Sequence, residues 1–135
     1  MKISELAIGN WVYTISDVGK IIKLTKTQIF VKIQSINKEL VFRIGEVIPI
    51  PLSEEILRQN GFEKNAIWVQ DRQKKNFWWK IMFYNGALRI SLNKTDTPFS
   101  HCDFVSDILI LWDCNYVHQL QNTLALMGID KDIKL

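Results

Sequence analysis

The chain has 135 residues, of which 47% are hydrophobic and 23% charged, and its net charge is +3. This composition is that of a globular protein and excludes a disordered one, and a chain of this length can bury a core without disulfides or metals. The mild positive charge favours an anionic partner but falls short of the basic stripe typical of duplex-binding proteins. We expect one domain over residues 1–135, with a β-barrel half at 1–50, a short helix at 51–62, and a hairpin plus C-terminal helix at 63–135.

The location of the protein is indicated by what the sequence lacks. Its two cysteines, Cys102 and Cys114, do not make a disulfide framework. The first residues lack the apolar region of a signal peptide, and no run reaches the roughly 18 apolar residues that a membrane span needs. We therefore expect a cytoplasmic protein with reduced thiols and no membrane contact.

The first fifty residues contain short apolar runs separated by turns. Five strands are predicted, at Trp11–Tyr13, Lys20–Leu24, Gln28–Gln34, Leu40–Phe42 and Val47–Ile48. Their spacing of about ten residues is typical of a small, bent antiparallel barrel of SH3-like type. Pro49 and Pro51 cannot donate ladder hydrogen bonds, so we expect the chain to leave the sheet there, with a seam near Pro49–Ser53.

A short helix is predicted after these prolines. Ser53 is a good N-cap, and Glu54 and Glu55 occupy the first turn, where the helix dipole favours negative charge. Gly61 ends the helix, and Phe62 can pack back on Leu57.

The second half returns to strands, at Ile67–Gln70, at Phe77–Leu92 and at Ile108–Trp112. The middle segment is predicted to be a hairpin about Asn85-Gly86, the strongest short hairpin signal. A two-residue turn there pairs Tyr84 with Ala87 and sets the register of all following pairs. One face then becomes core, with Phe77, Trp79, Ile81, Phe83, Leu88, Ile90 and Leu92. The fold class expected is α+β.

The other hairpin face is the strongest candidate for a ligand site. Aromatic rings stack on nucleobases, and lysine or arginine holds phosphate or lies over the rings. The candidate ligand-binding residues are Trp78, Lys80, Met82, Tyr84 and Arg89, with Lys74 and Lys75 on the adjoining turn. The alternative is that another element covers this face and the cations reach past it to solvent. Aromatic surface that stays exposed would favour a homo-oligomer.

The last helix is predicted to begin with Asn115 as its N-cap and to end at Gly128. Its apolar stripe consists of Val117, Leu120, Leu124 and Met127. His118, Gln121 and Asn122 are neighbours at i, i+3 and i+4, so they are candidate partner-binding residues. The alternative is that these three side chains are simply solvated.

Signals of catalysis or metal binding are weak. His101, Cys102, Cys114 and His118 are suitable zinc ligands, but the adjacent pair and the missing Cys-x2-Cys knuckle argue against a site. A Cys114–His118 nucleophile–base pair has the spacing of one helical turn but no orienting third residue. The sequence contains no phosphate-binding loop, dinucleotide fingerprint or serine-hydrolase elbow. We therefore predict no enzyme activity, no metal and no cofactor.

Three segments carry a resemblance that spans the chain. They are residues 2–12 (Lys-Ile-Ser-Glu-Leu-Ala-Ile-Gly-Asn-Trp-Val), residues 48–57 with Gly61-Phe62, and residues 116–122 (Tyr-Val-His-Gln-Leu-Gln-Asn). With these segments the chain resembles a family of short proteins from phages, prophages and conjugative elements of Bacteroidales bacteria. The resemblance transfers no catalytic or binding residue. It implies an accessory protein of a mobile element that acts inside a bacterial cell.

This context suggests non-catalytic binding as the function. The first hypothesis is sequestration of a nucleotide-derived host immune signal by the Trp78/Lys80 face. The second is a protein–protein adaptor or inhibitor of a host protein that uses the His118/Asn122 surface. The third is weak single-stranded nucleic-acid binding through the barrel half, which would weaken steeply with salt.

Overall fold

A computed structural model describes residues 1–71, 77–84, 87–94 and 108–135, with the backbone alone for residues 84, 91–94 and 108–112. The chain divides into two compact units. The first comprises Met1–Pro51 and Tyr116–Thr123, and the second comprises Leu52–Asn115 and Leu124–Leu135. The division at Pro51 lies inside the segment where the prolines predict a seam.

The first unit contains a five-stranded antiparallel sheet. After a short 3-10 turn at Ile3–Glu5, its strands are β1 (Trp11–Thr14), β2 (Val18–Leu24), β3 (Ile29–Ile33), β4 (Lys38–Phe42) and β5 (Val47–Pro49). The strand order is β4-β3-β2-β1-β5. Alternate residues of these strands form the core, including Val12, Ile21, Ile29, Val31 and Ile33, each at most 1% exposed. The five predicted strands are confirmed.

This sheet is open. Strands β4 and β5 lie at opposite edges of the order, and no pairing between them appears among the described strands. Strand β5 has three residues and ends at Pro49, which has no N–H to donate, so it offers little to a further ladder. The expected closure into a barrel is therefore not formed, whereas the antiparallel sheet itself is as predicted.

Gly19 is required where β2 passes between β1 and β3. It pairs with Val12 on one side and Ile33 on the other. A Cβ atom at this position would collide with the Val31 side chain and lie 2.7 Å from the Lys32 carbonyl oxygen. Because Gly19 has no side chain, β2 can approach Val31 and the Lys32 carbonyl this closely.

The second unit begins with helix α1 (Glu54–Gln59). The Ser53 Oγ accepts the Ile56 N–H at 3.2 Å, which is the predicted N-cap. At the other end Gly61 has a φ of +88°, and the Phe62 N–H donates to the Leu57 carbonyl at 3.0 Å. The predicted helix and both of its ends are confirmed.

A four-stranded antiparallel sheet forms the rest of this unit. Its strands are β6 (Ala66–Gln70), β7 (Phe77–Tyr84), β8 (Ala87–Lys94) and β9 (Ile108–Asp113), in that spatial order. The hairpin register is the predicted one, with Tyr84 opposite Ala87 and Ile81 opposite Ile90. Ile81, Leu88 and Ile90 are fully buried, as the prediction of a core face requires, whereas Phe77, Trp79 and Phe83 on the same face are only half-buried. The Leu92 side chain and the Asn85-Gly86 turn lie outside the described residues. The protein is thus α+β.

Helix α2 (Val117–Leu126) begins later than the sequence predicts. Tyr116, and not Asn115, precedes its first residue, because Tyr116 forms a bridge with Pro51 and its N–H donates to the Gln119 side chain at 3.2 Å. That contact is half of a capping box. The end is as predicted: Gly128 has a φ of +71° and the Ile129 N–H donates to the Leu124 carbonyl at 2.9 Å.

Neither helix in the described ranges combines the length and apolar character needed to span a bilayer.

Candidate functional site

The second face of the hairpin sheet is built from strands β6, β7 and β8. Since side chains alternate along a strand, the residues between the buried positions share the opposite face. The register places Trp68 opposite Lys80, Gln70 opposite Trp78, and Met82 opposite Arg89. We call these six residues the hairpin face.

Lys80 lies over an aromatic ring on this face. Its Nζ atom is 5.4 Å from the centroid of the Trp68 ring, which is cation–π geometry. Trp68 is missing from the sequence-based set because it belongs to a different strand. The alternation of Trp68 and Gln70 with Ile67 and Val69 is a signal that could have included it.

The two tryptophans of strand β7 differ in how their indole N–H groups are satisfied. Trp79 Nε1 donates to the Asp71 carboxylate at 3.1 Å. Trp78 Nε1 is buried and has no hydrogen-bond partner among the described residues. A buried donor without a partner costs about 1–3 kcal/mol, so an acceptor that reached Trp78 would recover that free energy.

The cations of the hairpin face are partly accessible. Lys80, Met82 and Arg89 are half-buried, as are Trp68 and Trp78. The face is therefore neither fully exposed nor fully covered. Asp113 on strand β9 pairs with Ala87 on β8, so it contributes a carboxylate to the same face of the sheet as Arg89. The Tyr84 side chain, Lys74 and Lys75 lie outside what is described.

Two residues of the predicted partner-binding surface are engaged within the first unit. Asn122 accepts a hydrogen bond from Asn10 Nδ2 at 2.8 Å and donates to the Glu5 carbonyl at 2.9 Å. Gln121 accepts the Trp11 N–H at 2.9 Å and donates to the Gly9 carbonyl at 3.0 Å. We call Asn10, Gln121 and Asn122 the amide cluster. These amides hold the chain entering β1, and partner binding through them stays a prediction.

The third residue of that surface is in the interior. His118 is 2% exposed, and neither ring nitrogen has a hydrogen-bond partner in the described part of the chain. Its ring stacks on Tyr116, with centroids 5.9 Å apart. Burial lowers the pKa of His118, opposed by the Glu5 carboxylate and assisted by the N-terminal ammonium. A neutral interior imidazole is therefore its state at neutral pH.

The Cys114 thiol is not activated for nucleophilic attack. Burial raises its pKa to about 12, so the thiol stays protonated at neutral pH, whereas a nucleophile needs the thiolate. No group of three or more ligating side chains occurs among residues 1–71, 77–84, 87–94 and 108–135. His101 and Cys102, two of the four candidate zinc ligands, lie outside those ranges.

Comparisons with protein-family models, curated proteins and solved structures find no match to this chain.

Proposed function

We propose that the protein is a binding protein whose hairpin face takes a nucleotide-derived ligand. The observation that carries this is the buried Trp78 indole N–H, which has no acceptor in the described part of the chain, beside the Lys80–Trp68 pair. An N–H donor, a cation and aromatic rings on one face are what a phosphorylated, planar ligand needs.

The contacts of such a ligand follow from the face. Its base would stack on the half-buried ring of Trp68 or Trp78. A phosphate or base oxygen would accept the Trp78 N–H once the side chains that cover this buried atom move aside. Lys80 and Arg89 supply charge, and neither forms an ion pair within the described residues. Arg89 lies opposite Met82, which is two residues from Lys80 along β7 and the next position on the same face, so both cations would reach one ligand. From the mobile-element context that the resemblance implies, we propose further that the ligand is a host immune signal held without reaction.

The direct test is thermal unfolding and calorimetric titration with cyclic di-AMP and with ADP-ribose. A ligand that binds only the folded state stabilises it by RT ln(1 + [L]/Kd), about 2.7 kcal/mol at 100 times Kd. Mass spectrometry of the ligand released by heat then distinguishes binding from reaction. Intact ligand supports sequestration, whereas a cleaved product contradicts it.

Variants locate the site. Trp78→Phe keeps an aromatic ring and removes only the N–H donor, and Lys80→Met keeps the length of the side chain without its charge. We expect each to weaken binding by about tenfold, the effect of one hydrogen bond to a charged group. Lys134→Met is the matched control because Lys134 is exposed and belongs to none of the strands β6–β8. Equal affinities in all three variants would exclude the hairpin face.

A further inference from the structure

The outer face of the five-stranded sheet carries three lysines. Lys20 on β2 lies directly opposite Lys32 on β3, and Lys23 follows on β2. Like charges opposite each other disfavour a sheet. A polyanion that lay along the face would interact favourably with all three lysines.

A β-bulge brings Lys23 onto this face. Residues three apart in a regular strand point to opposite faces, so Lys20 and Lys23 would be separated. The register between β2 and β3 shifts between Ile21 and Lys23, and Ile22 is the extra residue. After the shift Lys23 lies opposite Phe30, while Ile21 and Ile29 stay in the core. Bulges re-aim side chains in this way at functional surfaces.

Aromatic rings alternate with these lysines. Lys23 Nζ is 5.1 Å from the centroid of the half-buried Phe30 ring, and Lys20 Nζ is 4.9 Å from that of Trp11. Tyr13, which alternates with buried Val12, is 41% exposed. We call Tyr13, Lys20, Lys23, Phe30 and Lys32 the lysine face.

The charge of the chain is concentrated in this part of the sequence. Residues 1–51 hold seven Lys and Arg against four Asp and Glu, an excess equal to the net charge of +3 of the whole chain. Glu39 lies opposite Lys32 and reduces the charge at that edge. The remaining surface still has cations interleaved with the half-buried Phe30 ring and the exposed Tyr13 ring.

We propose that the lysine face binds single-stranded nucleic acid. Lysines that follow a backbone and rings on which bases stack are the two components of sequence-tolerant single-strand binding. A duplex hides the faces of its bases, so it could use the lysines but not Phe30 or Tyr13. This site is independent of the hairpin face. The lysine face would bind a nucleic-acid polymer, whereas the hairpin face would bind a mononucleotide or dinucleotide.

The test is fluorescence anisotropy of a labelled 15-mer of deoxythymidylate at several salt concentrations. With three lysines neutralising phosphates, the logarithm of affinity should fall with the logarithm of salt with a slope of about −2. Lys23→Glu with Lys32→Glu, both exposed positions, should weaken binding more than tenfold and flatten the slope. The control Lys131→Glu with Lys134→Glu changes the net charge equally and should change affinity by less than about threefold.

A second variant tests stacking without relying on charge. Phe30→Leu keeps apolar bulk on the sheet, and circular dichroism verifies that it folds. Loss of one stacked base should weaken binding by at least about fivefold. The proposal is overturned if the wild type does not bind the oligomer at low salt, or if both lysine pairs have equal effects. It is also overturned if a duplex of equal length binds as tightly, or if only anionic vesicles of phosphatidylglycerol are bound.

Discussion

Gln121 and Asn122 of the amide cluster and Trp78, Lys80, Met82 and Arg89 of the hairpin face are all predicted from the sequence as binding residues, but their hydrogen bonding in the structure differs. Gln121 and Asn122 each make two hydrogen bonds within the first unit. On the hairpin face the Trp78 N–H has no partner among the described residues. A satisfied amide stabilises the fold, whereas a buried donor without an acceptor costs free energy. Satisfaction of hydrogen bonds thus separates a structural surface from a candidate site.

The largest expected effect is on stability, in the amide cluster. Asn10→Leu leaves the Ala7 N–H, which donates to Asn10 Oδ1 at 2.8 Å, without its acceptor and Asn122 without its donor. We expect a loss of about 2–3 kcal/mol in the free energy of unfolding, measured with urea. Asn122→Leu should cost about 1–2 kcal/mol because it is half-buried. The double variant Asn10→Leu/Asn122→Leu should show a coupling free energy of at least about 0.5 kcal/mol. If the two losses of stability were strictly additive, the hydrogen bond between these amides would not contribute to stability, which would contradict the account.

The two tryptophans of β7 sharpen the comparison within one strand. Trp79→Phe removes a hydrogen bond to a carboxylate, and Trp78→Phe removes a donor that has no partner within the ranges the structure describes. Both rings are half-buried, so the loss of apolar area is similar. Trp79→Phe should therefore be more destabilising by about 1–2 kcal/mol in chemical denaturation. The reverse order would show that the Trp78 N–H is satisfied in the folded protein.

The buried His118 predicts how stability changes with pH. Its folded-state pKa lies below the value in the unfolded chain, so the unfolded state binds more protons at pH values between the two. Stability is therefore highest above about pH 6.5, the ordinary histidine pKa, and falls as the pH drops through the folded-state value. Thermal unfolding between pH 8 and 5 measures this. His118→Phe should flatten the profile in this window, and an unchanged slope would assign the effect to other groups.

The smallest expected effect on stability is at Lys80. Its ring contact with Trp68 is partly exposed, so Lys80→Met should change the free energy of unfolding by less than about 0.5–1 kcal/mol. Its effect on ligand affinity is expected to be larger than its effect on folding. Denaturant unfolding and ligand titration of the same sample compare the two. A loss of stability as large as that of Asn10→Leu would make Lys80 a structural residue.

The elements of the fold were predictable because their signals are local. Strand alternation, the Ser53 cap and the Gly61 and Gly128 ends depend on residues within one or two turns of each other, and the hairpin register follows from its turn. The start of α2 was displaced by one residue because the bridge between Tyr116 and Pro51 decides it. The prediction of a closed barrel was wrong for the same kind of reason. Closure would need pairing between the edge strands β4 and β5, and local sequence signals do not decide such pairing.

The sites were less predictable because their partners are remote in sequence. The hydrogen bond between Asn10 and Asn122 joins residues 112 positions apart, and no periodicity reveals it. His118 has the helical position of a surface residue, yet it is buried. The bulge at Ile22 could not be recognised because the run Ile21-Ile22 has no glycine to mark it. Local pattern defines which face a residue occupies, but only tertiary contacts decide whether that face is free.

The most direct test of the hairpin face as a ligand site is the set of indole N–H resonances in a proton–nitrogen NMR spectrum. The chain has five tryptophans, and Trp78→Phe identifies the resonance of Trp78 by its loss. On titration with cyclic di-AMP or ADP-ribose we predict a downfield shift of the Trp78 signal, as its N–H gains an acceptor. The signal of Trp11, which is 6% exposed in the first unit, should stay in place. A spectrum in which either ligand binds while the Trp78 resonance does not move would contradict the assignment.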